Sequence, residues 1–221
     1  MPTPIRFASL GVAALLIAGL TACTAETEDA APLPTTPVVQ LGAPGEPNQT
    51  LSPEEAAELT SPSHGEDDVL FVRDMLHHHS QAIEMTGYVE ERTDDEDVRL
   101  LAERMDLSQT DEMVLLEKWL QARGEPVRDP DASHEHAADS MPGLLTDAEM
   151  AQLEAAEGDE FDVLFLTFMI RHHQGAIQMV EELYAAGGGQ ETEIDTFARH
   201  VEADQGIEIT RMQQMLAERQ G

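Results

Sequence analysis

Phe71–Met85 reads FVRDMLHHHSQAIEM and Phe165–Met179 reads FLTFMIRHHQGAIQM, and these two stretches are copies of one segment. Aligned without a gap from Asp68 and from Asp162, the copies are identical at ten of eighteen positions. A weaker match follows each copy, where Ala102, Gln109, Glu112 and Leu120 recur as Ala198, Gln205, Glu208 and Leu216. The chain therefore contains a tandem duplication, and each repeat has two segments.

All four segments carry the apolar period of an α-helix. Apolar residues recur at steps of three and four, as at Phe71, Met75 and Met85. Helix-breaking residues separate the two segments of each repeat, at Thr93–Asp95 and at Gly187–Gly189. We therefore predict an all-α protein, a four-helix bundle built from two tandem two-helix repeats.

The bundle is expected over residues 66–221. Repeat one covers about residues 66–123, a connector about 124–159, and repeat two about 160–218. The connector contains a capping-box pattern at Thr146–Glu149, which predicts a short helix. It is long enough to cross the bundle, so a simple up-down order of helices is not required.

The N-terminal region predicts export. Residues 1–22 resemble a signal peptide whose apolar part, Phe7–Leu20, is too short to span a bilayer. The stretch then ends in a lipobox-like Leu-Thr-Ala before Cys23, the only cysteine, which is the expected lipidation site. One lipid anchor would hold the protein at the extracytoplasmic face of the cell membrane. Residues 23–65 are acidic and Pro-rich and predict a disordered tether, interrupted at most by one helical turn at Ser52–Glu55.

The charge of the chain excludes one large class of partners. Acidic residues number 44 against 12 basic ones, which gives a formal net charge of −32. No basic patch can form to neutralise phosphates, so nucleic acid is not an expected partner. The sequence also has no Gly-rich phosphate loop and no Ser-His-Asp set.

Two histidines in each copy are predicted to face the core. At about 100° per residue, His78 and His79 fall within the same 120° arc as the apolar positions, whereas His77 points outward. The second copy agrees, because His172 and His173 face inward and Arg171 takes the outward position. The duplication has kept the inward histidines and changed the outward one.

Buried imidazoles require partners, since an unpaired buried nitrogen costs a few kcal/mol. The partners could be polar groups of the second segments or a metal ion, and the doubled pair among methionines favours the metal. Imidazole with thioether ligands selects Cu(I). The candidate ligands are His78, His79, Met75, Met85, His172, His173, Met169 and Met179. Further possible ligands or supporting residues are Glu112, Glu208, Met212, Gln109 and Gln205.

Other interpretations stay open at this point. A carboxylate-bridged di-iron or di-manganese oxidoreductase would use Glu112 and Glu208, although the helices contain no Glu-x-x-His. Non-covalent haem is conceivable, because His and Met are both axial ligands. A structural or partner-binding bundle without metal would need the histidines only for packing. In the connector, His134 and His136 could hold a metal loosely.

The quoted motifs resemble a known family. MLHHHSQAIEM, MIRHHQGAIQM, the later MPGLLT at 141–146 and QGIEITRM at 205–212 are similar to domain-of-unknown-function family 305 over roughly residues 66–218. The resemblance implies an exported bacterial protein of the ferritin-like superfamily. It also implies copper, with which some members are associated, and it places the His-His pairs at His78-His79 and His172-His173.

Overall fold

The structure is a computed structural model that describes residues 38–40, 47–53, 55, 63–128 and 141–220. The predicted signal peptide, Cys23 and the connector tract with His134 and His136 lie outside these residues. The chain divides into two units, residues 1–60 and residues 61–221. Among the described helices, none combines the length and apolarity needed to cross a bilayer.

The first unit contains a short β-ladder within the predicted tether. Strand β1, Val38–Gln40, pairs antiparallel with β2, Gln49–Leu51. The sequence did not predict these strands, and the assignment of this region as a tether stays a prediction. The capping box at Ser52 is confirmed, because the Ser52 backbone N–H donates to Glu55 Oε2 at 2.8 Å and the Glu55 N–H donates back to Ser52 Oγ.

The second unit is all helical in the part that the structure describes, which confirms the predicted fold class. Its helices are α1 Glu66–Gly87, α2 Val89–Arg92, α3 Glu96–Ala122, α4 Asp147–Ala155, α5 Gly158–Ala186 and α6 Thr192–Gln220. Helices α1 and α3 form one packed pair, α5 and α6 form the other, and α1 packs against α5. Each pair of long helices is therefore one repeat, and the two repeats pack against each other through their first helices, α1 and α5.

Local sequence explains where these helices begin and end. Asp95 caps α3 by accepting hydrogen bonds from the backbone N–H groups of Asp97 and Val98. Thr146 forms the predicted capping box with Glu149 and starts α4. Gly187 ends α5 with a φ of 93°, a conformation that favours glycine.

The core consists of two apolar clusters that each mix residues of both repeats. One cluster contains Met75 together with Met179, and the other contains Met85 together with Met169. An early position of α1 thus meets a late position of α5, so these two helices run antiparallel. The duplicated segments are related by an approximate twofold axis between α1 and α5.

The end of the connector lies across α1 and α5 at this axis. A Cβ at Gly175 would lie 2.0 Å from the carbonyl oxygen of Pro142, so only glycine permits this approach. The corresponding residue of the first copy, Gln81, exchanges two hydrogen bonds with the backbone of Leu145, at 2.9 and 2.8 Å. We call residues 141–145 the strap. The equivalent positions of the two copies both contact it, one as a glycine that permits close approach and the other as a glutamine that hydrogen-bonds to its backbone.

A charged pair fixes the helix that follows the strap. Arg171 donates two hydrogen bonds to the Glu149 carboxylate, at 2.6 and 2.8 Å. These bonds hold the pKa of Glu149 at about 2. The outward position that is His77 in the first copy is thus used in the second copy to anchor α4.

Candidate metal centre

The four predicted inward histidines are completely buried. His78, His79, His172 and His173 each have 0% exposure, whereas His77 is exposed. The rings of His78 and His172 lie 3.8 Å apart, centroid to centroid. The helical geometry predicted from the sequence is confirmed, and the twofold axis brings one histidine of each copy together.

Backbone carbonyls fix the orientation of the two central rings. His78 Nε2 lies 3.1 Å from the carbonyl oxygen of Pro142, and His172 Nε2 lies 3.0 Å from that of His78. A carbonyl oxygen can only accept, so both Nε2 atoms must donate. In a neutral imidazole the other nitrogen, Nδ1, then carries the lone pair.

Carboxylates fix the two outer rings in the same way. His79 Nε2 lies 2.7 Å from Glu112 Oε2, and His173 Nε2 lies 2.7 Å from Glu208 Oε2. Each acid comes from the second helix of the same repeat, so the two copies repeat one arrangement. Each carboxylate accepts a hydrogen bond from Nε2–H, which in a neutral ring leaves the lone pair on Nδ1.

Every one of these Nδ1 atoms is buried and has no hydrogen-bond partner. Four buried lone pairs without a donor are costly, and a bound water or cation is the usual explanation of such groups. Histidine that ligates a metal commonly donates its second nitrogen to a carboxylate or a carbonyl, as all four rings do here. The ring orientations therefore leave Nδ1, rather than Nε2, as the nitrogen available to a cation.

The predicted polar partners on α3 and α6 divide into two groups. Glu112 and Glu208 pair with histidines, so hydrogen bonding accounts for one nitrogen of His79 and one of His173. The side chain of Gln109 is buried with neither its amide nitrogen nor its oxygen hydrogen-bonded, and the oxygen of Gln205 is equally unpaired. Of the four polar residues considered on these helices, the two glutamates therefore hydrogen-bond to the histidines, and Gln109 does not. The two glutamines add further unsatisfied atoms to the core.

Burial keeps the central imidazoles neutral. Desolvation and then the neighbouring His79 lower the pKa of His78 to about 3, although its bond to the Pro142 carbonyl acts in the opposite direction. Burial, followed by the proximity of His78, also lowers the pKa of His172 well below its usual value. Both lone pairs are consequently free for a ligand at neutral pH.

Thioethers lie in the two apolar core clusters, on the same helices as the histidines. Met75 and Met169 each lie one helical turn before a histidine pair and are fully buried. Met212, considered as a further ligand, is fully buried in the cluster of Met85 and Met169. The cluster also contains Met105, which the sequence places in the apolar stripe of α3 without marking it as a candidate.

The arrangement is less suited to a carboxylate-bridged centre. Among the described residues, no group of three or more His, Cys, Asp or Glu side chains is placed to hold an ion. Glu112 and Glu208 instead engage one histidine each. The four buried histidines belong to that set, so no three of the described imidazoles and carboxylates converge on one ion. An ion in this core would have at most two such ligands, and thioethers would supply the others.

One acidic residue distinguishes the two copies at the position before the first methionine of the motif. Asp74 is half-buried, and burial raises its pKa to about 6. The second copy has Phe168 at this position, partly buried against the apolar core and beneath the Arg171 guanidinium. The two halves are therefore not chemically equal.

Comparison with known proteins agrees with this fold. A family model described as domain of unknown function (DUF305) matches residues 68–216, as the motifs indicate. A DUF305 protein from Streptomyces coelicolor is 34% identical, over 70% of this chain and 94% of that chain, with a TM-score of 0.63. A DUF305 fragment from Deinococcus radiodurans is 35% identical, over 71% of this chain and 99% of that chain, with a TM-score of 0.62.

A third solved protein, CopM, has the same fold. Its Ag-bound form is 25% identical over 70% of this chain and 98% of that chain, with a TM-score of 0.55. Its Cu(I)-bound form is 24% identical over the same shares of the two chains, with a TM-score of 0.56. No curated protein matches the chain.

Proposed function

The chain belongs to the DUF305 family, and from this premise we propose that it binds copper, foremost Cu(I), in its buried histidine–methionine core. The observation that carries the proposal is the set of four buried Nδ1 lone pairs that lack a hydrogen-bond donor. The Ag-bound form of CopM supports it, because silver is a soft monovalent ion like Cu(I).

The donor chemistry selects the metal. Methionine thioether favours soft Cu(I), and neutral imidazole also suits copper, whereas carboxylate and water suit harder ions. In this core the carboxylates of Glu112 and Glu208 face the Nε2 side of the rings, opposite to the free lone pairs. Their role is to hold the rings and to balance the charge of a bound cation.

Binding for metal handling or tolerance is proposed in preference to catalysis. The four histidines have no exposure, so a bound ion would be shielded from substrates and from water. The signal-peptide-like segment and the lipobox-like position of Cys23 support a place at the extracytoplasmic face of the membrane, where the acidic chain would also attract cations.

The alternative of a di-iron or di-manganese oxidoreductase has less support. Such centres bridge their ions with carboxylates from several helices. Each of the two candidate acids here is within 2.7 Å of a single histidine nitrogen. This distance is that of a hydrogen bond, so each carboxylate serves as the hydrogen-bond acceptor of one histidine ring and not as a bridge between ions.

Copper content and affinity under reducing, anaerobic conditions test the proposal. The full chain would carry Cys23→Ser, so that its single thiol cannot bind Cu(I). We expect retained Cu(I), and we expect its loss when His78, His79, His172 and His173 are all replaced by glutamine. His77→Gln is the matched control, since this exposed neighbour should leave binding unchanged.

Two results would end the proposal. One is a reduced protein that retains no copper, and the other is unchanged retention in the quadruple variant. Circular dichroism of that variant must show intact helices, because lost folding would also release metal. If its helices are lost, the single variants His78→Gln and His172→Gln serve instead, and each is expected to weaken binding.

A further inference from the structure

The two outer histidines lie in chemically different surroundings, despite their identical pairing with glutamate. His79 lies near Phe197, at 6.5 Å between ring centroids, in the cluster that contains Met75 and Met179. We name this region the first end. His173 lies one turn after Met169, whose cluster forms the second end.

The second end is much richer in thioether. Its cluster contains five fully buried or nearly buried methionines, Met85, Met105, Met169, Met212 and Met215. The cluster of the first end contains two, Met75 and Met179, with Met113 partly buried beside it. Sulfur ligands favour a soft ion, so the second end is the softer one.

The first end has fewer thioethers but more negative charge that no basic residue balances. Glu208 at the second end has Arg104 within 3.8 Å, so part of its charge is already balanced. Among the described residues, no lysine or arginine pairs with Glu112 at the first end. Asp74 adds a half-buried carboxylate next to Met75, where the second copy has Phe168. The first end therefore offers more uncompensated negative charge to a cation.

We propose that the two ends discriminate between the oxidation states of copper, the second end binding Cu(I) and the first end binding Cu(II). This inference rests on the proposed function and adds the specificity of each half of the site. A monovalent soft ion gains from several thioethers and needs little negative charge. A divalent, harder ion gains from Glu112 and Asp74 and tolerates fewer sulfur ligands.

Separate titrations with Ag(I), a redox-inert stand-in for Cu(I), and with Cu(II) test the proposal on the full chain with Cys23→Ser. Equilibrium dialysis gives the stoichiometry of each ion, and electron paramagnetic resonance detects nitrogen ligands of Cu(II). We expect His79→Gln to remove the Cu(II) signal and to keep Ag(I). His173→Gln should reduce bound Ag(I) and keep the Cu(II) signal.

Charge-removing variants away from the four histidines separate this inference from effects on folding. Asp74→Asn should weaken Cu(II) binding about fivefold, the size of a partly screened charge interaction, and leave Ag(I) unchanged. Arg104→Gln removes the balancing charge from Glu208 and should strengthen Cu(II) binding at the second end by a similar factor. Arg104 is 67% exposed, so its replacement should not disturb the core.

The outcomes distinguish the two proposals. Equal losses of both ions in His79→Gln and His173→Gln would indicate one shared site and overturn this inference alone. Equal effects of Asp74→Asn on Ag(I) and Cu(II) would do the same. A wild-type chain that binds neither ion would overturn the proposed function as well.

Discussion

Replacement of Gly175 by alanine should move the strap away from the buried histidines. A Cβ there would lie 2.0 Å from the carbonyl oxygen of Pro142 and 2.6 Å from the Cα of Gly143. These neighbours are backbone atoms, which cannot rotate away as a side chain can. The strap must therefore shift by about 1 Å or more to restore van der Waals contact.

The shift has a calculable effect on stability. Overpacking typically costs about 1–3 kcal/mol, and loss of the buried bond from His78 to the Pro142 carbonyl adds about 1–3 kcal/mol. Alanine returns about 1 kcal/mol through its better helix propensity. The net expectation is a destabilisation of about 3 kcal/mol.

Gly206→Ala is the matched control. Gly206 also lies in a long helix, but a Cβ there would meet nothing within 4 Å. This substitution should stabilise the protein by about 1 kcal/mol. Thermal unfolding followed by circular dichroism should separate the two variants by about 10 °C. Equal stability of the two variants would show that the strap does not lie against α5 as described.

Three further predictions concern protonation and capping. Burial holds the pKa of His78 at about 3, against 6.5 when unfolded, so its contribution to stability is complete above pH 6.5 and is lost as the pH falls toward 3. Urea unfolding across this range should show a shallower pH dependence for His78→Gln, and His77→Gln should match wild type. Glu149→Gln, which breaks the pair with Arg171, should cost about 0.5–1 kcal/mol at pH 7 and nothing below pH 2, in urea unfolding at both values. Asp95→Ala removes the α3 cap and should cost about 1 kcal/mol in the same assay, and no change would contradict the capping role.

The parts of the fold that repeat locally could be predicted from the sequence. These local signals are the helical period of apolar residues, the helix-breaking residues and the capping box at Thr146. Each acts over a few residues, so it can be recognised in the sequence without knowledge of tertiary contacts. The inward direction of His78 and His79 followed from the same period, and the change from His77 to Arg171 between copies supported it. The family resemblance pointed to the same residues, because the His-His pairs of its motif are the histidines that the helical period turns inward.

The partners of those residues depended on tertiary packing. The sequence did not show that His78 meets His172 across an antiparallel helix pair, or that Pro142 supplies a carbonyl to the site. It also left open which polar residues of the second segments would meet a histidine, and the structure shows that Glu112 and Glu208 do. Whether the glutamate or the glutamine of a helix meets the histidine ring depends on which helical turn faces that ring. An angle of about 100° per residue is too coarse to decide this.

The most direct test of the account is nitrogen-15 NMR of the imidazole side chains during titration with Ag(I). Before addition, we predict hydrogen on Nε2 in all four buried histidines, and neutral rings with the lone pair on Nδ1 for His78 and His172. Addition of Ag(I) should shift Nδ1 resonances of these buried histidines and leave Nε2 protonated. Protonation of Nδ1 in His78 or His172 before addition, or shifts confined to exposed histidines such as His77, would contradict the account.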